Sequence, residues 1–199
     1  IRAAEQTQGA RAARIVALTA NAFEEDRQAA RDAGMDDALT KPAEPARYAR
    51  IGAVLSCKDW LRYGLTGRIA TDFTEASVAF TDVRTQTYSP AATDLFGLAE
   101  IAHALPPVLL PGAIAGHVTA RAAAETGLAE GTPVAAGLHD VTACAAGSGV
   151  VGPGTIAVIA GTYSINEMLT DHPTVSPGWN ARNGLAPGMW MNMSISPAS

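Results

Sequence analysis

The chain has few basic side chains, few aromatic residues and almost no cysteine. Its 199 residues include 14 Lys and Arg against 19 Asp and Glu, and the net charge of −5 argues against nucleic acid or an anionic membrane surface as a partner. Cys57 and Cys144 lie far apart in the sequence of a chain without secretory features, which argues against a disulfide framework, and both are predicted to be small buried hydrophobes. No apolar run approaches the roughly 20 residues that span a bilayer.

The sequence also lacks an initial Met and any segment that resembles a signal or transit peptide. We therefore expect a cytoplasmic protein, or a piece of one. Hydrophobic residues make up 48% of the chain and charged residues 17%, which is typical of a globular protein. The length allows one large domain or two small ones.

Charge is unevenly distributed. Residues 1–43 hold 6 Lys/Arg and 7 Asp/Glu, whereas residues 44–199 hold 8 and 12. This shift predicts a boundary, which we place at residues 42–46. The first segment has an apolar run over residues 14–19, acidic residues that open a helix ended by Gly34, and a second short apolar run at residues 38–39. This strand–helix–strand order is half of a doubly wound α/β domain.

The stretch "IVALTANAFEEDRQAARDAGMDDALTKP" resembles the C-terminal half of a response-regulator receiver domain, which has a flavodoxin-like α/β fold. The resemblance implies that Thr19 matches the hydroxyl that senses the phosphoryl group and that Lys41 matches the lysine that pairs with it. A receiver also needs a phosphoacceptor aspartate and an acidic pair for Mg²⁺, and the residues before Ile15 form no such site. Thr19 and Lys41 are therefore expected to be relics of a receiver.

Turn and capping residues divide the second segment into short elements. Apolar residues at helical spacing predict a helix that begins near Glu44 and continues past Leu55. Two helices follow, joined at Gly67, with Asp72 or Thr74 as an N-cap. A further helix is predicted between Thr119 and Gly127, and buried strands are predicted at residues 133–136 and 155–160.

Asp140 lies between a predicted buried strand and a helix of very small residues, 141–150. A carboxylate in that position is often only an N-cap, so this alternative stays open. The small side chains of the helix indicate instead that another backbone or a ligand packs close to it. A carboxylate at the end of a buried strand is well placed to take a proton from a hydroxyl group.

A second glycine turn, Gly161-Thr162, is predicted to close a hairpin between two strands. Backbone N–H groups and a hydroxyl converge in such a turn, which suits phosphate oxygens. Gly-Thr is also common in ordinary hairpins, so a phosphate role is one of two interpretations. The isolated histidines are predicted to be surface or loop residues: His103, His117 and His172.

Together, "LSCKDWLRYGLTGRIATDFTEAS", "GTPVAAGLHDVTACAAGSGVVGPGT" and "IAGTYS" resemble the FGGY carbohydrate kinases, and the ending "RNGLAPGMWMNMSISPAS" is similar to the pentulose-kinase branch. The resemblance implies an actin-like, ribonuclease-H-like ATPase fold for residues 44–199. Residues 44–152 would belong to the N-terminal lobe and residues 153–199 would begin the C-terminal lobe. It further implies that Mg²⁺ and ATP phosphorylate a sugar hydroxyl, with a ketopentose as the expected sugar.

The same resemblance implies roles for individual residues. Asp140 would be the catalytic base, His139 would contact the sugar, and Gly161 and Thr162 would approach the γ-phosphate. The Asp-x-Gly-Thr hairpin, the adenine pocket and most of the ATP and Mg²⁺ site of these kinases are not found, so the chain is expected to be an inactive fragment. The alternatives are a phosphorelay module acting through residues 1–43 and a non-functional fusion product. Unpaired strand edges predict self-association.

Overall fold

A computed structural model of the chain describes residues 16–19, 28, 32, 37–40, 51–160 and 163–197. The chain divides into two compact units, Ile1–Arg50 and Ile51–Ser199. We describe each unit by itself. The boundary predicted at residues 42–46 lies outside the described residues.

In the first unit, strands β1 (Val16–Thr19) and β2 (Asp37–Thr40) pair in parallel over all four positions. Gln28 and Asp32 lie between them in the chain and are helical, and Gln28 Nε2 donates to Asp32 Oδ1 at 2.7 Å. The two predicted strands and their parallel pairing are confirmed. The predicted helix is confirmed at its two described residues.

The helices of the second unit begin and end at short polar or glycine signals. Ser56 caps the first helix by accepting from the Asp59 N–H at 3.3 Å, and Gly67 ends it in the left-handed conformation. Thr119 and Gly127 bound another helix, as predicted. The helices are α1 Cys57–Thr66, α2 Phe73–Ala76, α3 Pro90–Leu95, α4 Ala120–Thr126 and α5 Asp140–Gly147, with a 3-10 helix at Ala99–Ala104.

Short strand pairs connect these helices, and a larger sheet follows them. The pairs are β3 Thr71–Asp72 with β6 Val108–Leu109 in parallel, and the antiparallel pairs β4 Thr81–Asp82 with β5 Thr87–Tyr88 and β7 Ile114–His117 with β8 Pro133–Ala135. The antiparallel four-stranded sheet has the order β11-β12-β10-β9, from β9 Ile156–Ala160, β10 Tyr163–Thr170, β11 Asn180–Asn183 and β12 Trp190–Pro197.

One face of the four-stranded sheet packs against the end of α5. Alternate residues of a strand share a face, so Leu169 on β10 points to the same side as Glu167. The hydrophobic core at this face contains Ala145, Val150, Ala157, Leu169 and Met191. The buried Glu167 carboxylate therefore lies on the same face of the sheet as this apolar core.

Three expectations about local structure are wrong. Residues 51–56 are not helical although their apolar residues have helical spacing, because the Val54 N–H donates to Ala104 O at 2.9 Å and not to a carbonyl of its own segment. Strand β8 is not buried: it pairs with β7 in a two-stranded sheet, and Pro133 and Ala135 are exposed. Strand β9 is only partly buried: it lies at one end of the sheet, and Ile156 and Val158 remain 50% and 62% exposed on the face opposite the core.

The prediction that both cysteines are buried is also wrong, because Cys57 and Cys144 are free and exposed. Cys57 is the first residue of α1, where a helix has fewer neighbours. Helix α5 buries Thr142 and Ala145 and exposes the positions between them, which include Cys144. Among the described residues, no helix is both long enough and apolar enough to span a bilayer.

Candidate active site

Asp140 is the first residue of helix α5. His139 takes the N-cap position, so the alternative that Asp140 is the N-cap is wrong. The Asp140 carboxylate accepts the N–H of Val141 at 2.7 Å through Oδ1, which complements the positive end of the helix. Its side chain is 87% exposed. Asp140 thus presents an accessible carboxylate, of which Oδ1 accepts a hydrogen bond from its own helix.

The backbone beneath Asp140 is fixed by the Asp72-Phe73-Thr74 stretch. The His139 N–H donates to Thr74 Oγ1 at 2.7 Å, and the Thr74 hydroxyl donates to Asp72 Oδ1 at 2.5 Å. The same oxygen of Asp72 caps helix α2 by accepting from the N–H groups of Thr74 and Glu75. Asp72 and Thr74 are buried, so this chain of hydrogen bonds anchors the start of α5 rigidly.

Paired charges on α1 support that chain of hydrogen bonds. Lys58 forms ion pairs with Asp72 and with Asp59, the latter at 2.8 Å, and Arg62 contacts Asp59 at 3.0 Å. Arg62 also donates to Ala136 O at 2.6 Å, three residues before His139. Asp59, Arg62 and Asp72 are buried and Lys58 is partly buried, and their charges compensate one another, which makes the loss of any one of them costly. We call this group of charges, Lys58, Asp59, Arg62 and Asp72, the platform. The sequence indicated Asp72 only as a possible helix cap and did not indicate the platform.

The four-stranded sheet contributes Arg182 and Glu167. Arg182 is on β11, and its Nη1 lies 3.4 Å from His139 Nε2. Glu167 is on β10 and fully buried, and its carboxylate makes no hydrogen bond among the residues that the structure describes. Burial raises the pKa of Glu167, and the positive charge of Arg182 opposes that shift.

His139 has an imidazole that is mostly buried. Burial lowers its pKa, and the nearby charge of Arg182 lowers it further, whereas Asp140 opposes the shift. His139 Nδ1 lies 3.3 Å from Asp140 Oδ1, without hydrogen-bonding geometry in this conformation. The ring is therefore neutral over a wider pH range than a free histidine, and it lies directly beside the Asp140 carboxylate.

The other predicted site residues are less completely described. Gly161, Thr162 and Lys41 lie outside the described residues. Strands β9 and β10 pair antiparallel on both sides of residues 161–162, so the predicted hairpin is confirmed and its phosphate role stays a prediction. Thr19 pairs with Thr40 through the backbones of β1 and β2. The structure describes the backbone of Thr19 but not its side chain, so its role in a receiver stays a prediction.

Three other histidines lie at the surface, as predicted: His103, His117 and His172.

Within the described part of the chain, no group of three or more His, Cys, Asp or Glu side chains is arranged to hold a metal ion. The site at Asp140 is thus one exposed carboxylate on a buried, hydrogen-bonded support, at the junction of the helices and the sheet.

An accessible carboxylate can accept a proton from a group within hydrogen-bond reach. The chain belongs to the FGGY family of carbohydrate kinases, because the model of that family's N-terminal domain matches residues 40–147.

Curated relatives include the L-xylulose/3-keto-L-gulonate kinase of Escherichia coli (strain K12), which is 40% identical over 133 residues, 65% of this chain and 26% of the relative. The autoinducer-2 kinase of Yersinia enterocolitica is 37% identical over 155 residues, 76% of this chain and 29% of the relative. The chain therefore spans between a quarter and a third of the length of these relatives.

Solved structures have the same fold. The xylulose kinase of Rhodospirillum rubrum superposes with a TM-score of 0.67 at 30% identity, over 78% of this chain and 32% of that protein. The glycerol kinase of Plasmodium falciparum has a TM-score of 0.64 at 15% identity, over 76% of this chain and 31% of that protein, and shows the fold alone. These neighbours are actin-like sugar kinases with mixed α/β architecture.

Proposed function

We propose that this chain forms part of an ATP-dependent sugar kinase in which Asp140 takes the proton from the sugar hydroxyl that is phosphorylated. One observation carries the proposal: Asp140 is 87% exposed, although the backbone on its N-terminal side is held by the buried Thr74 and Asp72. A base must be both accessible and precisely held, because proton transfer requires hydrogen-bond reach to the hydroxyl.

The residues around Asp140 have distinct tasks in this proposal. Oδ1 is occupied by the Val141 N–H, so Oδ2 is the oxygen that accepts the proton. His139 lies beside the carboxylate, so a sugar at Asp140 also meets the exposed edge of the imidazole. Loss of the proton makes the sugar oxygen a stronger nucleophile toward phosphorus, where positioning and charge neutralisation provide most of the catalysis.

The contribution of this chain to the ATP site that we propose is the segment between β9 and β10. Mg²⁺ in kinases is held by one or two carboxylates together with substrate phosphates, not by a full cage of protein ligands. Asp140 is not assigned to Mg²⁺, because its Oδ1 accepts the Val141 N–H and its Oδ2 is assigned to the sugar hydroxyl. When bound, Mg-ATP supplies the transferable phosphoryl group and neutralises its charge. Gly161 and Thr162, in the β9–β10 turn, are the residues of this chain that we assign to the γ-phosphate.

The sugar that we propose as the substrate of this kinase is a ketopentose. The support is the L-xylulose/3-keto-L-gulonate kinase name of one relative and the xylulose kinase name of a solved neighbour at 30% identity. A second proposal concerns residues 1–43, which we assign to a partial receiver domain. Its support is the parallel β1–β2 pair, in which Thr19 lies opposite Thr40, the residue before Lys41.

Binding and turnover of the purified chain test the kinase proposal. Ketopentose binding is followed by ligand-observed NMR, and ADP release is followed with Mg-ATP and each sugar. We expect a ketopentose to bind. We expect Asp140→Asn to reduce any sugar-dependent ADP release by about 10²- to 10⁴-fold, as for loss of a general base.

Asp94→Asn is the matched control, because Asp94 is an exposed aspartate on α3, away from the site. Its binding and turnover should equal those of the unchanged chain. The proposal fails if no ketose binds. It also fails if sugar-dependent turnover in Asp140→Asn equals that of the unchanged chain.

A further inference from the structure

His139 lies between a cation and a carboxylate. Arg182 Nη1 is 3.4 Å from one ring nitrogen, Nε2, and Asp140 Oδ1 is 3.3 Å from the other, Nδ1. Arg182 comes from β11 and Asp140 from α5, so the sheet and the helix meet at this imidazole. Arg182 is the first residue of the ending that resembles the pentulose-kinase branch, but no sequence pattern indicated its contact with His139, which spans 43 residues.

The chemistry of arginine decides which ring nitrogen carries the proton. A guanidinium has only donors and stays protonated in proteins, so Arg182 can only donate to Nε2. Nε2 must then be the acceptor, and a neutral imidazole with an accepting Nε2 has its hydrogen on Nδ1. The Nδ1 atom that carries this hydrogen is the ring nitrogen 3.3 Å from Asp140 Oδ1.

Arg182 is held in place through its neighbour Asn183. The Asn183 N–H donates to Ser77 Oγ at 3.0 Å, and Asn183 Nδ2 donates to Phe73 O at 2.9 Å. Phe73 begins α2, whose cap residue Asp72 anchors His139 through Thr74. Both partners of the Arg182–His139 contact are thus fixed to the same short helix.

The charged groups that influence the imidazole come from several elements. Arg182 and Asp140 are the nearest, and Asp72 and Lys58 act from the platform below. Glu167, on the neighbouring strand β10, acts on Arg182 and favours its charged form. Burial acts in the opposite direction on Arg182, so the ionised form of Glu167 offsets part of the cost of burying the guanidinium that donates to His139.

We propose that Arg182 is a positioning residue: it fixes His139 as the Nδ1–H tautomer, and His139 Nδ1–H in turn holds Asp140 Oδ1. The Asp140 side chain is exposed, so a small rotation brings the 3.3 Å contact into hydrogen-bonding geometry. Oδ1 then has two donors, Val141 N–H and His139 Nδ1–H, and Oδ2 is left for the sugar hydroxyl. The assignment of Oδ2 to the sugar rests on the proposed function, whereas the tautomer does not.

Long-range ¹H–¹⁵N NMR spectra of the imidazoles test the tautomer, because they distinguish Nδ1–H, Nε2–H and doubly protonated rings. His139→Gln assigns the His139 signals among the four histidines. We expect a single Nδ1–H tautomer of His139 in the unchanged chain above the pKa of this histidine. Arg182→Gln should give a mixture of tautomers and a higher His139 pKa, because a nearby positive charge has been removed.

Arg121→Gln is the matched control, since Arg121 pairs with Glu125 on α4 and its loss should leave the His139 spectrum unchanged. Arg182→Lys keeps the charge and a donor, so it should preserve the low His139 pKa. An Nε2–H tautomer in the unchanged chain overturns the proposal even if Arg182→Gln does not fold. So does an Arg182→Gln spectrum identical to that of the unchanged chain. Neither result depends on turnover. A failure of the tautomer proposal can therefore be distinguished from a failure of the proposed kinase function in the Asp140→Asn test.

Discussion

Glu167 is a carboxylate without a hydrogen-bond partner among the described residues, in the core between β10 and α5. Burial penalises its charged form and raises its pKa above the ordinary value of 4.5. Arg182 offsets part of that penalty through space. Stability should therefore depend on the protonation of this side chain, in a direction opposite to that of a surface carboxylate in an ion pair.

The direction of this pH dependence follows from the coupling between proton binding and folding. A carboxyl group whose pKa is higher in the folded state binds its proton more tightly there, so it stabilises the fold below the unfolded pKa. That stabilisation is lost as pH rises from the ordinary value of 4.5 through the raised pKa of Glu167. Glu167→Gln removes the titrating group. The free energy of unfolding of the variant should rise relative to that of the unchanged chain over this window, by about 1.4 kcal/mol for each unit of difference in pKa.

Urea denaturation of both proteins across this pH range measures the difference. Glu100→Gln, at an exposed glutamate of the 3-10 helix, controls for the substitution itself. A difference in unfolding free energy between Glu167→Gln and the unchanged chain that stays constant with pH would show that Glu167 does not titrate as proposed.

Single residues of the site differ in how far the sequence predicts them. Asp140 stands out because a carboxylate follows a strand and precedes a helix of small residues, a local pattern. Arg182 and Glu167 have no such pattern, because they reach the site through strand register and sheet packing. Thr74 is intermediate: its role as part of a cap was weighed, but its bond to the His139 N–H spans 65 residues and depends on the tertiary fold.

Among the elements, β7 and α1 approach each other at a glycine. A Cβ on Gly116 would lie 2.8 Å from the Cβ of Thr66, the last residue of α1. Real Cβ atoms do not come so close to a neighbour, so β7 and the end of α1 depend on the absence of a side chain at Gly116. The α1 residues Lys58 and Arg62 support the site, so this contact also affects the platform.

Gly116→Ala should therefore lower the free energy of unfolding by about 1 to 3 kcal/mol, the usual cost of overpacking a close contact. Chemical denaturation followed by circular dichroism measures the loss. Gly112→Ala is the matched control, because nothing lies within 4 Å of a Cβ at that position. Equal stabilities of the two variants would contradict the close packing of β7 on α1.

Elements with chemical end signals are the ones that the sequence predicts well. The helix between Thr119 and Gly127 is bounded by a hydroxyl cap and a left-handed glycine, and the structure has it there. The helix predicted from Glu44 past Leu55 had a start signal in Glu44 and Pro45 but no signal at its end, and the Val54 N–H bonds to Ala104 O instead of forming a helix. Strand positions were predictable from apolar runs, but the exposure of β9 follows from its place in the sheet, which no local pattern encodes.

On the scale of the whole molecule, the outer face of β9 is an exposed apolar surface. Val158 and Ile156 share this face and are 62% and 50% exposed, and β9 lies at one end of its sheet. Apolar side chains on an end strand favour pairing with another copy. We propose that this strand carries the self-association expected from the sequence.

Val158→Lys should shift the chain toward monomer, because a charge on an end strand opposes strand pairing. Sedimentation velocity over a range of concentrations measures the distribution of species. Val151→Lys is the control: Val151 is 66% exposed but lies outside the sheet. A chain that is already monomeric at the highest concentration, or one in which both variants behave alike, would remove β9 as the contact.

Helix α2 has only four residues, yet it bonds to the chain on both sides of the site. Its cap holds His139 through Thr74, and Phe73 and Ser77 hold Asn183 beside Arg182. Two groups that are positioned from one reference keep their mutual distance when the intervening loops change in length. Loops between the helices and strands at residues 78–138 and 141–179 can therefore change in length during divergence with little effect on the spacing between the guanidinium and the imidazole.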